Sequence, residues 1–307
     1  MSNFPNFAGR IREKYRIWLH VAYLLKELFD DPETCISYNS IRAVNLVKKF
    51  LDKHYDEKVP YHGPIHVLYG LCYLLENQKD CDGSILFDIC LRWLGHDASH
   101  NGNAVESPEE KSLGISIDEF NGIFSPLKIG LTSHYLPEYF KDILRTKFPY
   151  TLDEESPEDW VNFLRVLDTL RVAAGATSSE SLGLDEPADP FLINMFESGA
   201  LWMELGMTPE DWIVKGQLGF FFPHLFECLN GSVFQIMSDK WEHEDDPIWD
   251  QSNLPKLKAG VEANHQRLQE IVADQNQFQL FLRLINWSVH YDCTLPEYLA
   301  KAKEFGL

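Results

Sequence analysis

A carboxylate inside an apolar helical run places the strongest constraint on how this chain can fold. Phe163-Leu164-Arg165-Val166-Leu167-Asp168 sets Asp168 in a segment of apolar helical pattern. A charge buried on such a face is costly unless it is paired or bound to a metal. The fold must therefore bring partners for Asp168 into the core from elsewhere in the chain. Histidines at metal-ligand spacing are the obvious supply. His62 and His66 lie four apart in Tyr61-His62-Gly63-Pro64-Ile65-His66, and the pair His96-Asp97 is followed by His100. Imidazole together with carboxylate suits zinc, iron or manganese, and carboxylate also suits magnesium.

Helical periodicity is common along the chain and strand signals are sparse, so the expected fold class is all-α, a compact multi-helix domain. Residues 1–38 read as an N-terminal helical extension, with a helix over 11–29 ending at Asp30-Asp31-Pro32; residues 39–307 read as the main domain. A helix is expected from about Ser40. Pro60 ends that region, and Pro64 suits the first turn of the next helix, where a missing N–H costs nothing. The apolar run at 85–94 stops at Gly95, which puts His96 and Asp97 at a helix end. Ser156-Pro157 and Thr208-Pro209 each open a helix, the second continuing through Gln217 and Phe220 to Pro223. One long helix is expected over 257–291.

The chain of 307 residues carries 27 basic and 47 acidic side chains, a net charge of −20. That balance argues against nucleic acid or an anionic membrane surface as partner, but leaves room for a small phosphorylated substrate at a metal site. No stretch reaches the roughly 18 apolar residues that a membrane span needs. The six cysteines include no C-x-x-C pair, and no signal-peptide pattern opens the chain. A cytoplasmic setting is expected, and the oligomeric state is left open.

Taken together, His66, His96, Asp97 and Asp168 offer two neutral and two anionic donors to one metal, and Asp97 can also bridge to a second. A metal lowers the pKa of water from 15.7 to about 7, which makes a nucleophile available at neutral pH. His62, beside the ligands but spare to them, suits the general acid that protonates a leaving alkoxide.

The order His, His-Asp, Asp resembles the HD superfamily of metal-dependent phosphohydrolases, and over residues 40–290 most closely the catalytic domain of cyclic-nucleotide phosphodiesterases. Tyr61-His62-x-x-x-His66 is similar to that family's segment of catalytic and metal histidines. His96-Asp97-Ala98-Ser99-His100-Asn101-Gly102-Asn103 resembles its H-D-x-x-H-x-G-x motif, with Ser99 and Asn101 in place of Asp and Pro. Lys215-Gly216-Gln217-Leu218-Gly219-Phe220 looks like its Q-x-G-F segment, and Phe196-Glu197-Ser198-Gly199 and Glu204-Leu205-Gly206 fall where the family has similar residues. The resemblance implies cleavage of a 3′,5′-cyclic nucleotide to the 5′-nucleotide by a hydroxide bridging two divalent ions. Zinc or iron would fill the first site, and magnesium or manganese the second. It further implies Gln217 on the base edge, Phe220 stacked on the base and Tyr61 at the substrate. His100, Glu109 and Glu110 would support the metals from behind.

Two departures stand out. Gly63 replaces an asparagine, and Arg165-Val166-Leu167-Asp168-Thr169-Leu170-Arg171 keeps the metal aspartate of H-x-A-D-x-x-N-P but not its histidine or asparagine. Arg171, where that asparagine would stand, is a candidate bidentate phosphate ligand. Two other functions share these ligands: an HD-type di-iron oxygenase, and a non-catalytic metal- or nucleotide-binding protein.

Overall fold

A computed structural model of the chain describes residues 8–30, 40–77, 83–100, 123–124, 148, 150, 163–177, 182–184, 186–230 and 253–307. The first four helices labelled here are α1 (Ala8–Asp30), α2 (Ser40–His54), α3 (Pro64–Glu76) and α4 (Gly83–Gly95). A π-helical segment, Val166–Leu170, runs into α5 (Arg171–Ala174), followed by α6 (Pro190–Ser198) and α7 (Leu201–Glu204). Next, α8 (Pro209–Asp211) continues without a break through a second π segment, Trp212–Phe221, into α9 (Phe222–Asn230). The chain then forms α10 (Asn253–Ala273), α11 (Gln275–Tyr291) and α12 (Leu295–Phe305). No strand occurs among the described residues, and none of their helices is long and apolar enough to cross a membrane. The expected all-α class is what forms.

At the centre lies α3, buried at every residue from His66 to Leu75. A helix apolar all round belongs to a core rather than a surface, and the sequence of α3 is apolar on every face. Gly63 caps it in an extended conformation and Pro64 occupies its first turn, so His66 enters the core at the start of a rigid element. Across α3 lies α1, with Ile17, Val21 and Leu25 fully buried in the same core as α2, α3 and α4. Polar contacts reinforce that packing. The buried Glu13 carboxylate of α1 accepts from the Tyr69 hydroxyl of α3 at 2.7 Å and from Arg16 Nε at 3.0 Å. The first amides of α1 are capped from the far end of the chain: Gly9 and Arg10 N–H each donate to the Asp292 carboxylate at 2.8 Å. A side chain at Gly9 would meet the Asp292 carbonyl oxygen at 1.5 Å.

Close packing of α4 on α3 depends on Gly70. A Cβ there would lie 2.2 Å from the Trp93 ring, and Trp93 Nε1 donates to the Val67 carbonyl at 2.8 Å. The fully buried indole thus turns its Nε1 edge onto α3 at the point where α4 ends.

Two expected boundaries are corrected. The long helix over 257–291 is two helices, because Asp274 leaves helical geometry and its carboxylate accepts from Asn276 and Gln277 N–H at 2.9 and 3.1 Å. That is an N-cap, which apolar periodicity alone does not register. A further helix, α12, follows, opened by a reciprocal capping box between Thr294 and Glu297. The helix from Thr208 runs past Pro223 to Asn230. Pro223 lacks an N–H, and it falls where the wide π register gives way to α, so the helix survives it. The start expected at Ser156-Pro157 lies outside the described residues.

Gly70→Ala tests the contact between α3 and α4. Helix propensity alone favours alanine by about 1 kcal/mol, whereas overpacking against Trp93 costs about 1–3 kcal/mol. The expected result is a lower midpoint in urea denaturation; an unchanged or higher midpoint would contradict the packing described.

Candidate metal centre

Three elements converge on one buried point. His66 comes from the first turn of α3, His96 and Asp97 from the turn that ends α4, and Asp168 from the first π segment. His66 Nε2 lies 3.3 Å from Asp168 Oδ1 and 3.6 Å from Asp97 Oδ2. His96 Nε2 lies 3.0 Å from Asp97 Oδ2 and 3.9 Å from Asp168 Oδ1. His66, His96 and Asp97 are almost wholly buried, while the Asp168 side chain keeps 18% of its surface exposed. The set therefore opens toward solvent at Asp168.

Each imidazole is oriented from behind. His66 Nδ1 donates to Glu197 Oε1 at 2.9 Å, and His96 Nδ1 donates to the Trp93 carbonyl at 2.6 Å. The Trp93 ring also stacks on His96 with centroids 3.9 Å apart. Both histidines thus present Nε2 to the common point, the arrangement that metal-ligating histidines need. Glu197 is paired in turn with Arg171 through two hydrogen bonds of 2.9 and 2.5 Å.

A divalent cation fits this set on two grounds. His66 Nε2 and Asp97 Oδ2 are buried polar atoms that meet no partner in hydrogen-bond geometry, although they lie close together. Such atoms are costly to bury. Three buried or partly buried carboxylates, Asp97, Asp168 and Glu197, also lie against His66, two of them near His96 as well, with the Arg171 guanidinium paired to Glu197. The excess of negative charge shows in His66. Burial would lower its pKa, but Asp168 and Glu197 push it up to about 9.

Next to this set is a second one. His62 Nδ1 lies 2.5 Å from Glu204 Oε2, and the His100 ring is 4.6 Å from that of His62. Glu204 Oε1 accepts from the backbone N–H of Tyr61 and of His62 at 2.5 and 3.1 Å, so Glu204 fixes both the ring and the backbone of the catalytic candidate. Burial would lower the His62 pKa, but Glu204 and then Asp97 push it up to about 9. Burial would raise the Glu204 carboxyl, but the same pairing holds it below its ordinary range. The Tyr61 ring lies 4.7 Å from His62 and 4.8 Å from His66, bridging the two sets. His100 is presented by a turn in which Ser99 takes a left-handed φ of 66°. That turn is tied to α2 by Ser99 N–H donating to the His54 carbonyl at 2.7 Å.

The structure thus brings together His62, His66, His96, Asp97, His100, Asp168 and Tyr61. Arg171 is not placed as expected. It is fully buried, its Nη atoms are taken by Glu197, and its Nε donates to the Leu167 carbonyl at 3.0 Å, so it is not a free phosphate ligand. Gln217 and Phe220 lie together on the second π segment. No hydrogen bond or ring contact among the described residues links them to the candidate metal ligands; the Phe220 ring instead lies 4.3 Å from His224. Glu109 and Glu110 lie outside the described residues. Glu197 and Glu204 were given no role from sequence, although Glu197 follows the largely apolar stretch Phe191-Leu192-Ile193-Asn194-Met195-Phe196 and so carries the same signal as Asp168. No family model, curated protein or solved structure matches this chain.

Glu204→Gln keeps an acceptor for the two backbone amides while removing the charge. The His62 pKa lies above its ordinary 6.5, so the stabilisation from the ion pair is complete below about pH 6.5 and is lost as pH rises through about 9. In metal-free protein, an NMR titration of Glu204→Gln should therefore show the His62 pKa moved down toward 6.5; an unmoved value would contradict the pairing.

Proposed function

We propose that this protein is an HD-type metal-dependent phosphohydrolase acting on a nucleotide phosphoester, with a 3′,5′-cyclic nucleotide as the first substrate to test. The observation that carries this reading is the adjacency of two sets: ligand atoms of His66, His96 and Asp168 within 4.8 Å of one another, with Asp97 beside them, and next to these an imidazole whose pKa a buried carboxylate raises. His66, His96, Asp97 and Asp168 would hold the first cation, zinc or iron, and Asp97 would share a second, magnesium or manganese. A divalent cation so bound acts as a Lewis acid on a phosphoryl oxygen and makes water nucleophilic at neutral pH.

The remaining work falls to the chain itself. His62 is anchored to Glu204 through Nδ1, so the proton it can deliver is on Nε2, and a raised pKa keeps that proton in place at neutral pH. A leaving alkoxide needs that proton, whereas a nucleophile would need the neutral base, so the geometry and charge suit an acid. Tyr61 walls the same side. Gln217 is nearly buried and its Oε1 has no hydrogen-bond partner, which suits recognition of a base edge. Phe220, 45% exposed on the same segment, offers a face for stacking. Both the metal aspartate and this glutamine lie on π segments, a backbone form concentrated at functional sites. The net charge of −20 favours a small phosphoester over nucleic acid or an anionic membrane. The buried free thiols of Cys72, Cys228 and Cys293 agree with a cytoplasmic setting.

A di-iron oxygenase is the second reading, favoured by one observation. Ligand atoms of His62, His100 and Glu204 also fall within 4.8 Å of one another and so form a second potential metal set. In that case His62 is a ligand and not an acid. Against it, Glu204 already receives three hydrogen bonds, two from backbone N–H groups and one shared with the His62 ring.

The test is hydrolysis of cyclic AMP and cyclic GMP by protein loaded with Mn²⁺, with metal content measured in each variant. His62→Ala should retain its metal and lose about 10²–10⁴-fold in turnover, and Asp97→Ala should lose both. Loss of metal from His62→Ala would favour the oxygenase. No hydrolysis of any nucleotide phosphoester by fully loaded protein would overturn the proposal.

A further inference from the structure

We propose that Arg171 is a positioning residue for the metal centre, holding His66 and Asp168 in register through one buried guanidinium. The inference rests on the metal-centre reading above and assigns a task to a residue that touches neither metal nor substrate.

The geometry runs in two directions from the same side chain. Toward His66, Arg171 Nη1 and Nη2 donate to both oxygens of Glu197 at 2.9 and 2.5 Å, and Glu197 Oε1 accepts from His66 Nδ1 at 2.9 Å. The fork fixes the plane of the carboxylate, and the carboxylate fixes which face of the imidazole carries the ligand nitrogen. Toward Asp168, Arg171 Nε donates to the Leu167 carbonyl at 3.0 Å, one residue before the aspartate. The backbone N–H of Arg171 meanwhile bonds the Val166 carbonyl, five residues back, and so closes the π turn. In an α-helix the Arg171 N–H would bond the Leu167 carbonyl instead. The side-chain Nε takes that place, so the widened turn that carries Asp168 keeps this carbonyl satisfied.

Arg171 and Glu197 are fully buried and strongly paired. Burial would lower the Arg171 pKa and raise that of Glu197; each offsets this for the other, leaving the arginine raised and the carboxyl lowered. Arg171 side-chain surface is 0% exposed, so water offers no alternative partner. Lysine is a poor substitute, because an ammonium is a point donor and cannot span a carboxylate and a backbone carbonyl in fixed directions. A purely stabilising ion pair would also be buried and bidentate. The positioning role differs in that it must alter the metal itself.

The experiment is titration of metal-free wild type, Arg171→Lys, Glu197→Gln and the double variant with Co²⁺. Visible d–d absorption is followed, at a temperature where circular dichroism shows each protein folded. Each single variant should bind Co²⁺ about 10–100-fold more weakly, the usual effect of removing an outer partner of a ligand, with altered band positions or intensities. The double variant should bind no more weakly than the weaker single, because both changes break one chain of contacts. Wild-type affinity and spectrum in the folded variants would overturn the proposal even if their melting temperatures fell, as would losses that simply add. If Arg171→Lys fails to fold, the near-isosteric Glu197→Gln decides alone. Failure of the wild type to bind Co²⁺ would overturn the metal-centre reading and this inference with it.

Discussion

The burial of negative charge around His66 governs the rest of this molecule. Asp97, Asp168 and Glu197 all lie within 4 Å of that imidazole, in a core where isolated carboxylates are expensive. Glu197 has Arg171 and Asp168 keeps partial access to solvent, whereas Asp97 Oδ2 lies 3.0 Å from His96 Nε2 without hydrogen-bond geometry. The surrounding helices are arranged so that these partners arrive together, and the residual need for positive charge is why this set could hold a metal ion.

That need explains why the scaffold is built as it is. His66 is set on α3, the helix buried on every side, so its position is fixed by the whole core. His96 is set by the Trp93 ring and carbonyl, and Trp93 is set by the gap at Gly70. α1 then locks α3 from the other side through Glu13 and Tyr69. A site built this way is held by packing and outer hydrogen bonds rather than by loops, which keeps ligand lone pairs in place before any cation binds.

Much of this was legible in the sequence, and for physical reasons. Apolar periodicity revealed α1 to α4 and the segment of Asp168, and Pro64 and Gly95 marked the ends that present His66 and His96. Where polar groups made the decision, periodicity was blind. Asp274 ends one helix and begins another by capping, while the apolar pattern runs on. The π register around Asp168 leaves no mark in the pattern of residue types, because it depends on how Arg171 and Thr169 bond the carbonyls of Leu167 and Arg165. Arg171 was misassigned for the same reason: its position in sequence suggested a phosphate, and only the fold shows Glu197 already in its fork. Glu204 belongs to a segment with no spacing rule linking it to His62, so its pairing emerges only in three dimensions.

The central claim is that His66, His96, Asp97 and Asp168 form one metal centre, and anomalous diffraction from crystals grown with Mn²⁺ or Zn²⁺ tests it most directly. The account predicts a strong anomalous peak bounded by these four side chains, with His66 and His96 ligating through Nε2 at about 2.0–2.2 Å. A peak held instead by His62, His100 and Glu204 alone, or none at saturating metal, would contradict it.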